Sequence, residues 1–188
     1  MRVGACGGRL EIMTTTRSSA AGSDLDWGHE GRVPERTFAI LLEALHDAEF
    51  ITSAAAHGIL EAFDQQGILL GEWSGGLAPP QCARLLVAIE AAFPNAARQL
   101  SFMISVILGE RLKDAGALET LRRLRTAESA EARVDVAHGL QHLSTASPDG
   151  DVRDGALAGL REMLTDTDAG VRESVADFVS RAERGHAY

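Results

Sequence analysis

Two histidines, His138 and His142, stand four residues apart in the stretch EARVDVAHGLQHL. On a helix that spacing puts both imidazoles on one face, the arrangement from which zinc proteases and many surface metal sites are built. A zinc protease also needs a glutamate directly after the first histidine, to act as general base on the metal-bound water. Gly139 occupies that position, so the protease reading fails. Asp135 falls on the same side and is the one candidate for a third ligand. Without it the pair reads as solvated or interface histidines, and we expect no bound metal and no cofactor.

The other residues with chemical potential are weaker. The turns DGDVRDG (149–155) and DTDAG (166–170) resemble calcium loops only in their aspartates. In the first, Asp154 stands where the sharp turn needs glycine and Leu160 where the bidentate glutamate belongs; in the second, Val171 and Asp177 fail at the same places. Helix capping accounts for both. Cys82 joins an apolar stripe with Leu85 and Leu86, as a structural thiol does. No glycine-rich loop ends in Lys-Ser/Thr, and Lys113 is the sole lysine. Arg111, Lys113, Arg122, Arg123 and Arg125 form the one basic cluster, in a chain of net charge −9 that otherwise repels phosphate backbones. No catalytic residues emerge, and the chain reads as a non-enzyme.

The elements that carry these residues are helical. Hydrophobic residues make up 45% of the chain and charged residues 24%, a globular balance. The most apolar segment, Leu100 to Leu108, contains Ser101 and Ser105 and falls far short of the ~20 residues a membrane span requires. The first 32 residues hold glycines and a Thr/Ser/Ala run but no apolar period and no secretory apolar block, which predicts a flexible N-terminal tail, with Met13 an alternative start. Two cysteines are too few for a disulfide framework, which fits a cytoplasmic protein.

A single domain is predicted over 33–186. Its first stripe is Phe38, Leu41, Leu42 and Leu45, opened by Pro34, and the second is Ile51, Ala55, Ile59 and Phe63. After the Gly/Pro-rich break 67–80 the stripes resume, with Asn95 the expected cap of the fourth helix. Later stripes are Leu118/Leu121/Leu124, Val134/Ala137/Leu140/Leu143, Val152/Ala156/Leu160/Leu164 and Val171/Val175/Phe178. The eight helices group into four pairs, 34–66, 80–112, 115–145 and 151–184. A small or apolar residue and an arginine recur at the corners, as Ala97-Arg98, Ala132-Arg133 and Val171-Arg172. In the last pair DVRDGALAGLREMLTDTDAGVRESVADFV (Asp151 to Val179) resembles a HEAT repeat in its Asp-x-Asp turn, Val-Arg opening and small-apolar spacing. The third pair fits more loosely, and the first two fit by helix pattern only.

That resemblance implies an all-α fold, an α-α superhelix of about four stacked antiparallel hairpins. It implies a structure used as a binding surface, with Asp166 or Asp168 capping the last helix and Arg172 bracing the adjoining turn. The expected function is a non-enzymatic protein-interaction module, either an adaptor or a bacterial inhibitor or immunity-type protein. Glu43, Asp47, Glu49, Asp135 and Glu162 would steer a basic protein partner, with Trp73 as hydrophobic anchor. The alternative is a HEAT-like nucleic-acid-binding or DNA-repair-type protein using the Arg111–Arg125 patch.

Overall fold

The computed structural model describes residue 33, residues 35–65 and residues 77–185. The N-terminal tail, Trp27 and Trp73 lie outside the described residues.

Among the described residues every regular element is helical and there is no strand. The elements are α1 (Glu35–His46), the single turn α2 (Ala48–Ile51), α3 (Ala54–Gln65), α4 (Pro79–Ala92), α5 (Arg98–Val106), α6 (Ala115–Leu124), α7 (Ala130–Ala146), α8 (Gly150–Met163) and α9 (Ala169–Glu183). A 3-10 turn (Phe93–Asn95) follows α4, and a π-helical turn (Ile107–Leu112) extends α5. No helix among the described residues is long and apolar enough to cross a membrane.

Short polar side chains start the later helices by accepting the orphan N–H groups of their first turns. Asp114 accepts from Ala117, Ser129 from Ala132, Asp149 from Asp151 and Asp168 from Val171. Asp166 accepts from the backbone of Asp168 at 2.8 Å, and so shapes the turn instead of capping the helix. Lys113, at φ 53°, ends the π turn in the left-handed conformation.

The early part of the chain departs from its apparent stripes. Asp47 caps α2 through the N–H groups of Glu49 and Phe50, and the helix breaks at Thr52-Ser53. The carbonyl of Ile51 instead accepts the N–H of Ala97 at 2.9 Å, a bond to the next hairpin. Ile51 therefore belongs to α2, and α3 buries Ala56 and Leu60 while Ala55 is exposed. The side chain of Phe63 lies outside the described residues. Asn95 sits in the 3-10 turn, and Ala97 occupies the cap position of α5 with no side-chain bond.

Contacts between elements run in two series. The first helix of each pair packs on the first helix of the next, α1 on α4, α4 on α6 and α6 on α8. The second helices do the same, α3 on α5, α5 on α7 and α7 on α9. Their apolar stripes close into one core that includes Phe38, Leu85, Ile104, Leu121, Leu140 and Leu160. α7 touches α5, the π turn, α6, α8 and α9, and it buries Val136, Ala137, Leu140 and Leu143 on more than one face.

Polar contacts cross successive hairpins at nearly constant sequence separation. Arg133 spans 33 residues to grip both carboxylate oxygens of Asp166, at 2.7 and 2.9 Å. Ser101 donates to Asp135 at 2.5 Å across 34 residues, and Ser147 to the Lys113 carbonyl at 2.8 Å, also across 34. Arg122 reaches the carbonyl of Gly155 across 33. Two arginines also brace their own corners: Arg133 bonds the carbonyls of Ala127 and Glu128, and Arg172 those of Asp166 and Thr167. Arg98, at the corresponding corner, is exposed and only 3.8 Å from Glu131.

Candidate functional site

A cluster of titratable side chains lies where α5 with its π turn, α7 and α9 meet. α7 carries His138 and His142 one turn apart, and their Nε2 atoms approach to 3.0 Å. Glu110, in the π turn, places Oε1 3.0 Å from Nδ1 of His142. A π turn inserts one residue into the helical register, so the side chains beyond it swing relative to those before it. Here Glu110 comes to the α7 side while Phe102, in the preceding α-helical part, stacks on the His138 ring at 5.1 Å. Phe178 of α9 meets the same ring from the other helix, at 5.8 Å.

The close approach of backbones at this crossing depends on two glycines. A Cβ on Gly109 would lie 2.4 Å from the carbonyl oxygen of Gly139 and 2.9 Å from Cβ of His142. A Cβ on Gly139 would lie 2.9 Å from both the carbonyl oxygen of Ser105 and a methyl of Leu121. Gly139, which rules out a protease motif at the sequence level, is thus a packing residue.

The proton positions follow from the donor and acceptor chemistry. A carboxylate only accepts, so His142 carries its hydrogen on Nδ1 and offers a lone pair at Nε2. His138 then donates from Nε2 to complete the chain Glu110–His142–His138. Burial lowers the pKa of His138 to about 4, with His142 and Arg181 adding to the effect. Burial also lowers His142, opposed by Glu110 and assisted by Arg111. Both rings are therefore neutral near pH 7.

This state links stability to pH. Between the ordinary value of 6.5 and about 4, the unfolded chain binds a proton at position 138 that the folded chain refuses. Stability from this source is complete above pH 6.5 and falls as pH drops, by about 1 kcal/mol at pH 5 once the ring's residual exposure is discounted. Urea unfolding at pH 7 and pH 5 should show that loss in the native chain and a shallower one in His138→Gln. Equal slopes would contradict the assignment.

Asp135 does not join the histidines. It is buried, bonded to Ser101, and burial raises its pKa. It therefore presents no charge at the surface, contrary to its expected place on an acidic face. No group of three or more His, Cys, Asp or Glu among the described residues is arranged to hold a metal ion. The Asp-rich turns hold helix caps and the Arg133–Asp166 pair. Cys82 is half-buried beside the Leu77 carbonyl, and burial pushes its thiol pKa up, away from nucleophilic chemistry.

Of the expected partner-binding residues, Glu43, Asp47 and Glu49 are exposed and form no ion pair among the described residues. Glu162 is exposed but pairs with Arg125. Most of the basic cluster is likewise engaged internally. Arg123 bonds Glu90 and Glu119, Arg111 lies 3.5 Å from Glu110, and Arg122 is directed at Gly155. Sequence reasoning missed Glu110, and no local signal marks it, because its role depends on a π turn and on α7 packing beside it.

Comparison of the chain with protein-family models, with curated proteins and with solved structures finds no match to any of them.

Proposed function

We propose that the chain is a small HEAT-like α-solenoid acting as a non-enzymatic protein-interaction module whose acidic surface receives a basic protein partner, in an adaptor or an inhibitor or immunity-type role. Two series of helices, each packing on its counterpart in the next pair, are the contact pattern of stacked hairpins, and the repeated 33- and 34-residue polar links accord with it. The observation that carries the functional reading is the unequal use of charge. Among the described residues the arginines other than Arg36 and Arg184 turn to carboxylates or backbone carbonyls of their own chain, whereas Glu43, Asp47, Glu49, Asp151, Asp154 and Glu173 are exposed without an ion pair. Such a surface speeds encounter with a basic protein and weakens as salt screens it. Trp73 remains the proposed hydrophobic anchor, outside the described residues.

The same internal pairing of Arg111, Arg123 and Arg125 leaves the nucleic-acid alternative with little free positive charge. The test is affinity capture from the native lysate at about 50 mM and 500 mM salt, followed by association kinetics with the captured protein. A basic protein should be retained only at low salt, and the double substitution E43Q/E49Q should slow its association about tenfold. Capture of no protein at low salt, or an association rate indifferent to the substitutions and to salt, would defeat the proposal.

A further inference from the structure

We infer that His138 and His142 form a two-imidazole chelate for a divalent transition-metal ion, with Glu110 as the outer carboxylate that orients His142. This inference is independent of the partner-binding reading. Two imidazole nitrogens at ~2.1 Å from one metal, in neighbouring positions about 90° apart, stand about 3.0 Å from each other. The Nε2 atoms of His138 and His142 are 3.0 Å apart. A tetrahedral zinc would part them to about 3.4 Å, so the pair fits the tetragonal or octahedral preferences of Cu²⁺ and Ni²⁺ better.

The surroundings suit that role. Metal-bound histidines commonly donate their second ring hydrogen to a carboxylate, which fixes tautomer and orientation; Glu110 stands 3.0 Å from Nδ1 of His142. The His138 ring is held between Phe102 and Phe178, so neither imidazole must be ordered when the ion arrives. Coordination replaces the hydrogen between the two nitrogens, and His138 then carries its proton on Nδ1. Among the described residues no third His, Cys, Asp or Glu is arranged to join the pair. Among the described residues, the charged groups that act on the pair are Glu110 and Arg111 from the π turn and Arg181 from α9. Arg111 lies 3.5 Å from Glu110, and Arg181 lies 2.6 Å from Asp177, so carboxylates offset both cations.

Calorimetric titration of untagged full-length protein with NiCl2 at pH 7.5, and copper EPR on the same protein, test the site. Wild type should bind one equivalent with a two-nitrogen copper signal. His138→Asn should abolish that equivalent, and Glu110→Gln should weaken it by about 10–100-fold while keeping both nitrogens. Circular dichroism identifies a variant that fails to fold, and Gly58→Ala on α3, where nothing lies within 4 Å of the added Cβ, serves as the folded control that retains binding. Wild type binding nickel no more tightly than folded His138→Asn, or a copper signal unchanged by that substitution, overturns the inference.

Discussion

Replacing Gly109 with alanine should lower the melting temperature by about 6–12 °C, one of the two largest effects the structure implies for a single substitution. The added methyl would sit 2.4 Å from the Gly139 carbonyl and 2.9 Å from Cβ of His142, so backbone as well as side chain must move. Overpacking of this kind costs about 3 kcal/mol, and each kcal/mol is ~2–4 °C in a chain of this size. The same displacement would separate His142 from Glu110. Gly58 supplies the contrast, because nothing lies within 4 Å of its missing Cβ. Gly58→Ala on α3 should raise stability by about 0.5–1 kcal/mol, through helix propensity alone. Differential scanning calorimetry of both variants checks the pair. A Gly109→Ala protein that melts with wild type would mean that α7 and the π turn do not meet as described.

Arg133→Ala should cost about 3 kcal/mol. Its guanidinium holds two oxygens of Asp166 and two backbone carbonyls, and the ion-paired side chains are only 13% and 10% exposed. Truncation leaves a shielded carboxylate and two carbonyls without their donor. Arg133→Lys should recover less than half of the loss, because an ammonium cannot form the paired fork. The bond to Arg133 holds Asp166 below its ordinary pKa of 3.8. The pair therefore contributes above that value and fades as acid protonates the carboxylate. The stability gap between wild type and Arg133→Ala should narrow from pH 7 to pH 3 in urea titrations. A gap that widens would contradict the pairing.

Arg133 also shows how far the sequence could be read. A small or apolar residue and an arginine recur at three corners, and the HEAT resemblance implied a brace at Arg172; Arg172 does brace its turn, and Arg133 braces the corner before it. At Ala97-Arg98 the same two-residue signature gives no brace, because Ala97 gives its N–H to Ile51 of the preceding hairpin and Arg98 is left exposed. Apolar stripes located the helices from α4 onward because each buries an i, i+3, i+4 face. They failed at Ile51/Ala55, where the Asp47 cap and the bond from Ala97 split one apparent helix into two. Capping chemistry and long-range backbone bonds override periodicity at such a junction.

At the candidate site the same limit applies. The His138/His142 spacing is a local fact of one helix, so it could be read directly. Glu110 and Phe102 reach that helix only through packing, and the π turn that separates their directions has no local sequence mark. Asp135 looked available beside the histidines on a helical wheel, yet the neighbouring α5 claims it through Ser101. Exposure and partner cannot be assigned from one helix when the next lies against it.

The central structural claim is that each hairpin packs on the next in order along the chain. A NOESY spectrum of the folded protein tests it most directly, through three glycines pressed against side chains of the preceding hairpin. The α-protons of Gly139, Gly155 and Gly159 should show cross-peaks to the β-protons of Ser105 and to the methyls of Leu118 and Leu140 respectively. The absence of these three, with strong cross-peaks instead from α9 to α1 or α4, would contradict the account.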